Sequence, residues 1–294
     1  MKYLTYILLK ATAITFSFIP FPILYIFSDG LRPILQYVIR YRKKVIDKNI
    51  SYLFPNKPSA EKRKIRTDYY KNFTDIFLEA IKGINHDPHK IVERYRIINP
   101  EILDPYFYSG QNIIAYSHHL TNWEWGTITL GLQTKQHMIG IAKKISNTYI
   151  NRMFTEKRSA NNLTIVYPGD TKAFFDNIEH NYAGRSLAMA FISDQFPYGK
   201  TRSFELDFFG KPTLFHAGTA HYACAKNYPV LSGDIRRIRR GFYEVELVLL
   251  HNTPAEIGPK AVTEIYKDHL ESLVRENPSA WLLSHKRFKN VINY

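Results

Sequence analysis

Short apolar runs alternate with segments of helical spacing along most of this 294-residue chain, and this alternation restricts its fold more than any other feature. Strand-like runs lie at residues 112–117, 138–142, 163–166, 186–193, 229–235 and 243–250. Helical spacing lies at residues 59–83, 123–132, 148–159, 171–181 and 259–276. Strands separated by helices in this way predict an α/β fold with a mixed central sheet flanked by helices.

A histidine and a carboxylate stand five residues apart just beyond the strand at 112–117, in the segment Ser117-His118-His119-Leu120-Thr121-Asn122-Trp123-Glu124. Ligands of α/β proteins bind where strands end. A histidine there can take a proton from a hydroxyl near neutral pH, and a carboxylate one turn later can hold the ring tautomer. The pattern suggests His119 as a general base oriented by Glu124. On spacing alone, a surface histidine near an unrelated glutamate is the commoner interpretation.

The amino terminus is almost continuously apolar from residue 3 to residue 27, interrupted by Lys10, Pro20 and Pro22. This run predicts an N-terminal membrane anchor at residues 1–30, followed by one domain at residues 31–294. The prolines also allow an interfacial or hairpin-like segment, and a buried core helix is a third interpretation. By the positive-inside rule, basic residues after the run place that side in the cytoplasm. They are Arg32, Arg40, Arg42, Lys43, Lys44 and Lys48.

The net charge of +14 favours an acidic partner, which leaves nucleic acid, anionic lipid and an acidic carrier protein as candidates. No recognised nucleic-acid module accompanies the basic cluster at residues 236–240, which argues against nucleic acid. Motifs of serine hydrolases, nucleotide loops, dinucleotide-binding folds and zinc proteases are missing from the sequence, and the histidines suggest no metal site. Cys224 is the only cysteine, so an intrachain disulfide is excluded.

Five segments resemble, in the same order, the motifs of the bacterial lipid A biosynthesis (late) acyltransferase family within the lysophospholipid acyltransferase superfamily. Together they extend from about residue 45 to residue 289. They are Asn49-Ile50-Ser51-Tyr52-Leu53-Phe54-Pro55, the His119 to Glu124 segment, Ser193-Asp194-Gln195, Phe208-Phe209-Gly210-Lys211-Pro212, and a closing segment with Asn277-Pro278, Trp281 and His285-Lys286-Arg287.

This resemblance implies a glycerol-3-phosphate acyltransferase-like fold and an O-acyltransferase at a membrane, working without a cofactor or metal. His119 would deprotonate the acceptor hydroxyl, Glu124 would orient His119, and Arg158 would stabilise the oxyanion, although a solvated arginine is the alternative for Arg158. Substrate-binding roles are implied for Asn122, Trp123, Lys143, Asn147, Asp194 and Gln195. Asp194 also fits an Asx-turn at a strand end.

By the same resemblance, the acyl donor would be an acyl carrier protein thioester, with acyl-coenzyme A as the alternative. The acceptor would be a lipid A precursor or related glycolipid at the cytoplasmic face of a bacterial inner membrane. Superfamily relatives acylate aminolipids, lysophospholipids and polyene pigments, so these acceptors stay open. A third hypothesis is a non-catalytic basic protein that binds anionic membranes, for which His119 and Glu124 would be dispensable.

Overall fold

The computed structural model describes residues 1–159, 161–197, 203–292 and 294. Within these residues, seven strands form one sheet in the order β1-β9-β8-β2-β5-β3-β4, and β6 and β7 form a separate antiparallel pair. The strands are β1 (Tyr95–Ile97), β2 (Ile113–Ser117), β3 (His137–Ile141), β4 (Leu163–Val166), β5 (Leu187–Ile192), β6 (Ser203–Asp207), β7 (Pro212–His216), β8 (Val230–Arg239) and β9 (Phe242–His251). The hairpin of β8 and β9 is antiparallel, whereas the other pairs of the large sheet are parallel.

Helices connect and cover these strands. They are α1 (Lys2–Phe18), α2 (Phe21–Pro33), α3 (Lys43–Leu53), α4 (Ser59–Asn85), α5 (Pro88–Val92), α6 (Asp104–Tyr108), α7 (Trp123–Gln133), α8 (Thr148–Ser159), α9 (Thr171–Asp176), α10 (Ile178–Asn181), α11 (Gly218–Lys226) and α12 (Pro254–Glu276). A π-helix spans Ile34–Val38, and short 3₁₀ helices span Pro100–Leu103 and Pro278–Ala280. The predicted α/β fold with a mixed sheet is therefore confirmed.

Both faces of the sheet are buried, and β2 shows this directly. Ile114 and Tyr116 belong to the large apolar core, whereas Ile113 belongs to a second cluster with Met138 and Leu163. Successive side chains of a strand point to opposite faces, so each face of β2 packs against its own layer. Burial on both sides explains why the strand is apolar along its length rather than alternating with polar residues.

The N-terminal run at residues 1–30, expected to be a membrane anchor, does not form one continuous helix. The apolar run is divided into α1 and α2 at Pro20, whose ring fits the start of a helix but not its interior. In the part of the chain that the structure describes, no helix combines the length and the apolar character needed to cross a bilayer. Both helices instead lie against α4, and the ammonium of Lys82 on α4 donates hydrogen bonds to the carbonyl oxygens of Phe16 and Ile19.

Three arginines of the β8–β9 hairpin form ion pairs with carboxylates of the protein itself. Arg237 and Arg240 both pair with the buried carboxylate of Asp75 on α4, at 2.6 Å each. Arg236 pairs with Glu246 at 2.5 Å on the neighbouring strand. Two arginines of the basic cluster at residues 236–240 therefore attach the hairpin to α4.

Candidate active site

Strand register brings the central residues of the site together. Strands β2 and β5 are parallel neighbours, and Ser117, the last residue of β2, is paired with Ile192, the last residue of β5. His119 and Asp194 each follow their strand by two residues, so they emerge side by side from the same edge of the sheet. This is the position where parallel sheets bind ligands.

Asp194 holds His119 through two contacts. Its Oδ1 lies 2.6 Å from Nδ1 of the imidazole, and its Oδ2 accepts the backbone N–H of His119 at 2.9 Å. The indole of Trp281 donates a third hydrogen bond, to Oδ2, at 2.7 Å. Burial alone would raise the pKa of Asp194, but the neighbouring His119 and these hydrogen bonds outweigh it and hold the pKa below its ordinary value. The carboxylate is therefore ionised at neutral pH.

An ionised Asp194 fixes the tautomer of His119. The carboxylate can only accept, so Nδ1 carries the proton and Nε2 is left with its lone pair. The side-chain amide of Gln195 lies 3.0 Å from Nε2, a position from which it donates to that lone pair. Trp123 stands edge-on to the imidazole, with the ring centroids 5.1 Å apart. His119 is thus set up to accept a proton at Nε2.

Glu124 makes a different contact from the one expected. Its Oε2 accepts a hydrogen bond from Nη2 of Arg158 at 2.8 Å, and both side chains are partly buried. The predicted orienting role of Glu124 is corrected, because Asp194 already occupies Nδ1 of His119. Glu124 instead fixes a guanidinium whose Nε is buried without a hydrogen-bond partner among the described residues. Glu124 and Arg158 form a unit.

Asn122 has a structural role in place of the predicted contact with substrate. It is fully buried, its Oδ1 accepts the backbone N–H of Trp125 at 3.1 Å, and its Nδ2 donates to Glu79 at 2.7 Å. An amide acceptor at this position caps the first turn of α7. Asn122 therefore fixes the helix that carries Trp123 and Glu124.

Asp194 is likewise unavailable to the acceptor, because it is only 2% exposed. Its role as the partner of His119 replaces the predicted substrate contact. Gln195, in contrast, is partly exposed and faces His119. Substrate contact by Gln195 and Trp123 stays a prediction that their positions favour.

Lys143 and Asn147 follow β3 before α8 begins. Lys143 is exposed, and its contact with substrate stays a prediction. Asn147 accepts the backbone N–H of Tyr149 at 3.1 Å and donates to the carbonyl oxygen of Lys2 at 2.8 Å. Its amide thus shapes the start of α8 and joins this helix to α1, which makes it a weaker candidate for binding substrate.

The loop between β2 and α7 is fastened from several directions. Leu120 forms an isolated bridge with Trp281, and the backbone N–H of Thr121 donates to Ala280 at 2.9 Å. Thr121 has a φ of 47°, a left-handed conformation that a β-branched residue rarely adopts. The sequence did not predict the hydrogen bond from Trp281 to Asp194. The position of Trp281 in the closing segment that resembles the family was the one indication of a role.

Comparison with known families gives one clear result. The family model described as bacterial lipid A biosynthesis acyltransferase matches residues 1–290, nearly the whole chain. Curated proteins give no significant match. The segment from His119 to Glu124, the Asp194-Gln195 pair and Trp281 all fall within the matched range. This protein therefore belongs to the bacterial lipid A biosynthesis acyltransferase family.

Proposed function

We propose that the protein transfers a fatty acyl chain from an acyl thioester to a hydroxyl group of a lipid A precursor. The observation that carries this proposal is the 2.6 Å contact of Nδ1 of His119 with Asp194, which leaves Nε2 as the ring nitrogen that can accept a proton. Such a histidine activates a hydroxyl that the substrate itself supplies. A protein nucleophile and a covalent acyl-enzyme are unnecessary.

The reaction then runs in two steps. The acceptor hydroxyl gives its proton to Nε2 of His119 while its oxygen bonds to the thioester carbonyl carbon. The tetrahedral intermediate expels the thiolate as the C–S bond breaks, and the imidazolium returns the proton to sulfur. Asp194 stabilises the imidazolium between these steps, as the aspartate does in a catalytic triad. The products are an ester and a free thiol.

Arg158 supports the oxyanion in this proposal. Its ion pair with Glu124 at 2.8 Å holds the guanidinium on the first turn of α7, near the loop that carries His119. Oxyanion stabilisation needs a donor that is already in place when charge develops, because reorganisation costs part of the gain. Glu124 provides that fixation. His119 and Glu124, the two fixed residues of the H-x-x-x-x-E motif, then have distinct tasks.

Gln195 must move for the acceptor to bind. Its amide lies 3.0 Å from Nε2 of His119, in the place that the reacting hydroxyl needs. A hydroxyl that enters would exchange this hydrogen bond for its own. The displaced amide would then be free to donate to a neighbouring acceptor oxygen on the substrate.

We further propose that the protein binds to the cytoplasmic face of the inner membrane. Apolar side chains of α1, α2 and the π-helix face outward, among them Leu8 at 60% exposure and Val38 at 75%. Basic residues border them, and the net charge is +14. Exposed apolar side chains can insert into a lipid leaflet, and basic residues around them attract anionic headgroups. Lipid acceptors would reach His119 from that surface, and an acidic acyl carrier protein, or coenzyme A, from the aqueous side.

Acyl transfer tests the reaction directly. Purified protein, an acyl carrier protein thioester or acyl-coenzyme A, and a panel of lipid acceptors would be followed by mass spectrometry of the lipid product. Transfer should disappear in His119→Ala and persist in His221→Ala, which changes an exposed histidine of α11. Undiminished transfer by His119→Ala would refute the mechanism. Preference for an aminolipid, lysophospholipid or pigment over a lipid A precursor would refute the proposed acceptor.

Vesicle sedimentation tests the membrane contact separately. Binding should be stronger to anionic than to neutral vesicles and should fall in a Leu4→Asp, Leu8→Asp variant of the exposed face of α1. Val291→Asp, at an exposed apolar residue near the other terminus, is the matched control. Equal binding by all three proteins would refute the assigned surface.

A further inference from the structure

A second histidine cluster lies directly beside the active site and has no part in the mechanism above. His118, the residue before the proposed base, is fully buried at the end of β2. Its Nε2 points away from the acyl-transfer site toward Ser232, at 3.0 Å, and Asp234, at 3.5 Å, both on β8. His269 of α12 approaches the other oxygen of Asp234, with its Nε2 at 2.8 Å.

The cluster joins three elements that are far apart in the sequence. The ligand-type atoms of His118, Asp234 and His269 all lie within 4.8 Å of one another. Among the residues that the structure describes, this is the group of histidine, cysteine and acidic side chains close enough to share a metal ion. Two imidazoles and a carboxylate are the ligand types that zinc takes in its protein sites.

Charge balance gives an independent reason to look for a cation. Asp234 is 1% exposed. An ionised carboxylate at so buried a position is costly unless a positive charge lies beside it, and a divalent ion bound to its oxygens would supply that charge.

The surroundings match the outer shell of a metal site on the carboxylate side. The Ser232 hydroxyl donates to Asp234 at 2.5 Å, as hydroxyls commonly do to ligating carboxylates. Tyr266 stacks on the ring of His118 with an interplanar angle of 8°. Nδ1 of His118 has no hydrogen-bond partner among the described residues, so the tautomer of this ring is set only by what lies at Nε2.

We propose that His118, Asp234 and His269 bind a divalent transition-metal ion, with zinc as the best match, in a structural site beside the catalytic loop. Ligands of a tetrahedral zinc ion lie roughly 3.3–3.6 Å from one another, given bond lengths of about 2.0–2.2 Å. The 3.5 Å between His118 and Asp234 already meets this spacing. His269 has the freedom to complete it, because its side chain is 20% exposed on α12.

The consequence is a cross-link between β2, β8 and α12 at the residue that precedes His119. A bound ion would fix the start of the loop from the sheet side, opposite the contacts of Leu120 and Thr121 with the closing segment. The exposed edge of His269 gives the ion its path from solvent. The ion would take no part in proton transfer, since His118 faces away from the acyl-transfer site.

Metal content tests the site without any substrate, so its result is independent of the proposed function. Protein purified without chelator and equilibrated with zinc would be passed through a desalting column and measured by plasma mass spectrometry. We expect about one zinc ion per chain in the parent protein, fewer than about 0.2 in Asp234→Asn and in His269→Gln, and the parent value in His221→Gln.

Thermal unfolding and cobalt substitution test the parent protein directly, so they give a result even if a variant folds poorly. Zinc should raise the Tm of chelator-treated parent protein, because a ligand that binds only the folded state stabilises it, and should leave the Tm of His269→Gln unchanged. Cobalt(II) should give the visible absorption of a tetrahedral His-carboxylate site. A parent protein that retains no zinc and shows no shift in Tm, or variants that retain it, would overturn the proposal.

Discussion

Nδ1 of His119 lies 2.6 Å from Oδ1 of Asp194, although the two residues are 75 positions apart in the chain. They meet because β2 and β5 are parallel neighbours whose last residues are paired. The pairing of β2 with β5 therefore positions the partner of His119. Glu124, five residues after His119, forms a separate ion pair with Arg158.

Asp194→Asn should lower kcat by a factor of about 10² to 10⁴, because an amide in place of the carboxylate disturbs both the tautomer of His119 and its imidazolium. Steady-state acyl transfer measures the effect, with thermal unfolding to verify the fold. Asp268→Asn, at an exposed aspartate of α12, is the control and should keep full activity. Full activity in Asp194→Asn would contradict the assignment.

Glu124→Gln and Arg158→Gln should each lower kcat, and the double variant should be no worse than the poorer single one. Residues that act as a unit give non-additive losses. The measurement is a double-mutant cycle on kcat, at saturating donor and acceptor. Losses that multiply would show that Glu124 acts independently of Arg158.

Gln195→Ala should increase the rate at which diethyl pyrocarbonate modifies His119, by a factor of several. The lone pair of an imidazole nitrogen attacks a carbonyl carbon of the reagent, and the amide of Gln195 covers the lone pair of Nε2 at 3.0 Å. Tandem mass spectrometry of the peptide that contains both histidines resolves the two positions. His118 is fully buried and serves as the internal reference that stays unmodified. An unchanged rate would mean that Gln195 does not cover the base.

Asn122→Ala should reduce the free energy of unfolding by about 2–4 kcal/mol, from a lost cap worth about 1 and a lost hydrogen bond to the buried carboxylate of Glu79, worth about 1–3. Denaturant unfolding measures the change. Asn147→Ala removes an exposed helix-start contact and should cost about 0.5–1 kcal/mol. Similar losses of unfolding free energy in both variants would contradict the structural role assigned to Asn122.

The stability of the protein should fall as the pH drops below 6.5, in part because of His285. Burial lowers the pKa of His285 from 6.5 to about 4, and its Nε2 accepts the backbone N–H of Phe196 at 3.3 Å. Between these two values the unfolded chain binds a proton that the folded chain does not, so acidification favours unfolding.

His285→Gln isolates this contribution, because glutamine does not titrate. The difference in urea midpoint between about pH 7.5 and about pH 5 should be smaller in the variant than in the parent protein. Burial also lowers the pKa of His86 to about 4, so some acid sensitivity should remain. Identical pH dependence in both proteins would show that His285 does not contribute.

Elements with strong local signals were predictable from the sequence. Helix α8 and strand β4 have the predicted bounds, and α12 was predicted to begin at residue 259, next to the kink that Gly258 makes at a φ of 82°. Strand β1 was missed because three residues carry too little periodicity. Strands β6 and β7 were missed because each is short and their pairing depends on the turn at Phe209 and Gly210.

The site was predictable only in part, for a physical reason. His119 was found through its spacing and resemblance, but the choice between Glu124 and Asp194 as its partner depends on strand register, which local sequence does not encode. The N-terminal run was apolar enough to suggest an anchor and its prolines allowed a break, but the packing of α1 and α2 on α4 depends on long-range contacts that local sequence does not encode. His118, Asp234 and His269 gave no joint signal because no two of them are close in the sequence.

The buried carboxylate of Glu79 has a practical consequence for anyone who shortens this protein. It accepts hydrogen bonds from Tyr25 of α2, Asn122 at the start of α7 and Tyr243 of β9, at 2.6–2.7 Å. Deleting the first 30 residues to improve expression would remove Tyr25 and open this carboxylate to water, one hydrogen bond away from the residue that caps the catalytic helix. A truncation that ends at Phe18 would keep Tyr25 in place but would remove the carbonyl oxygen of Phe16, which accepts a hydrogen bond from the buried ammonium of Lys82. The first two helices are therefore part of the folded domain and not a removable extension.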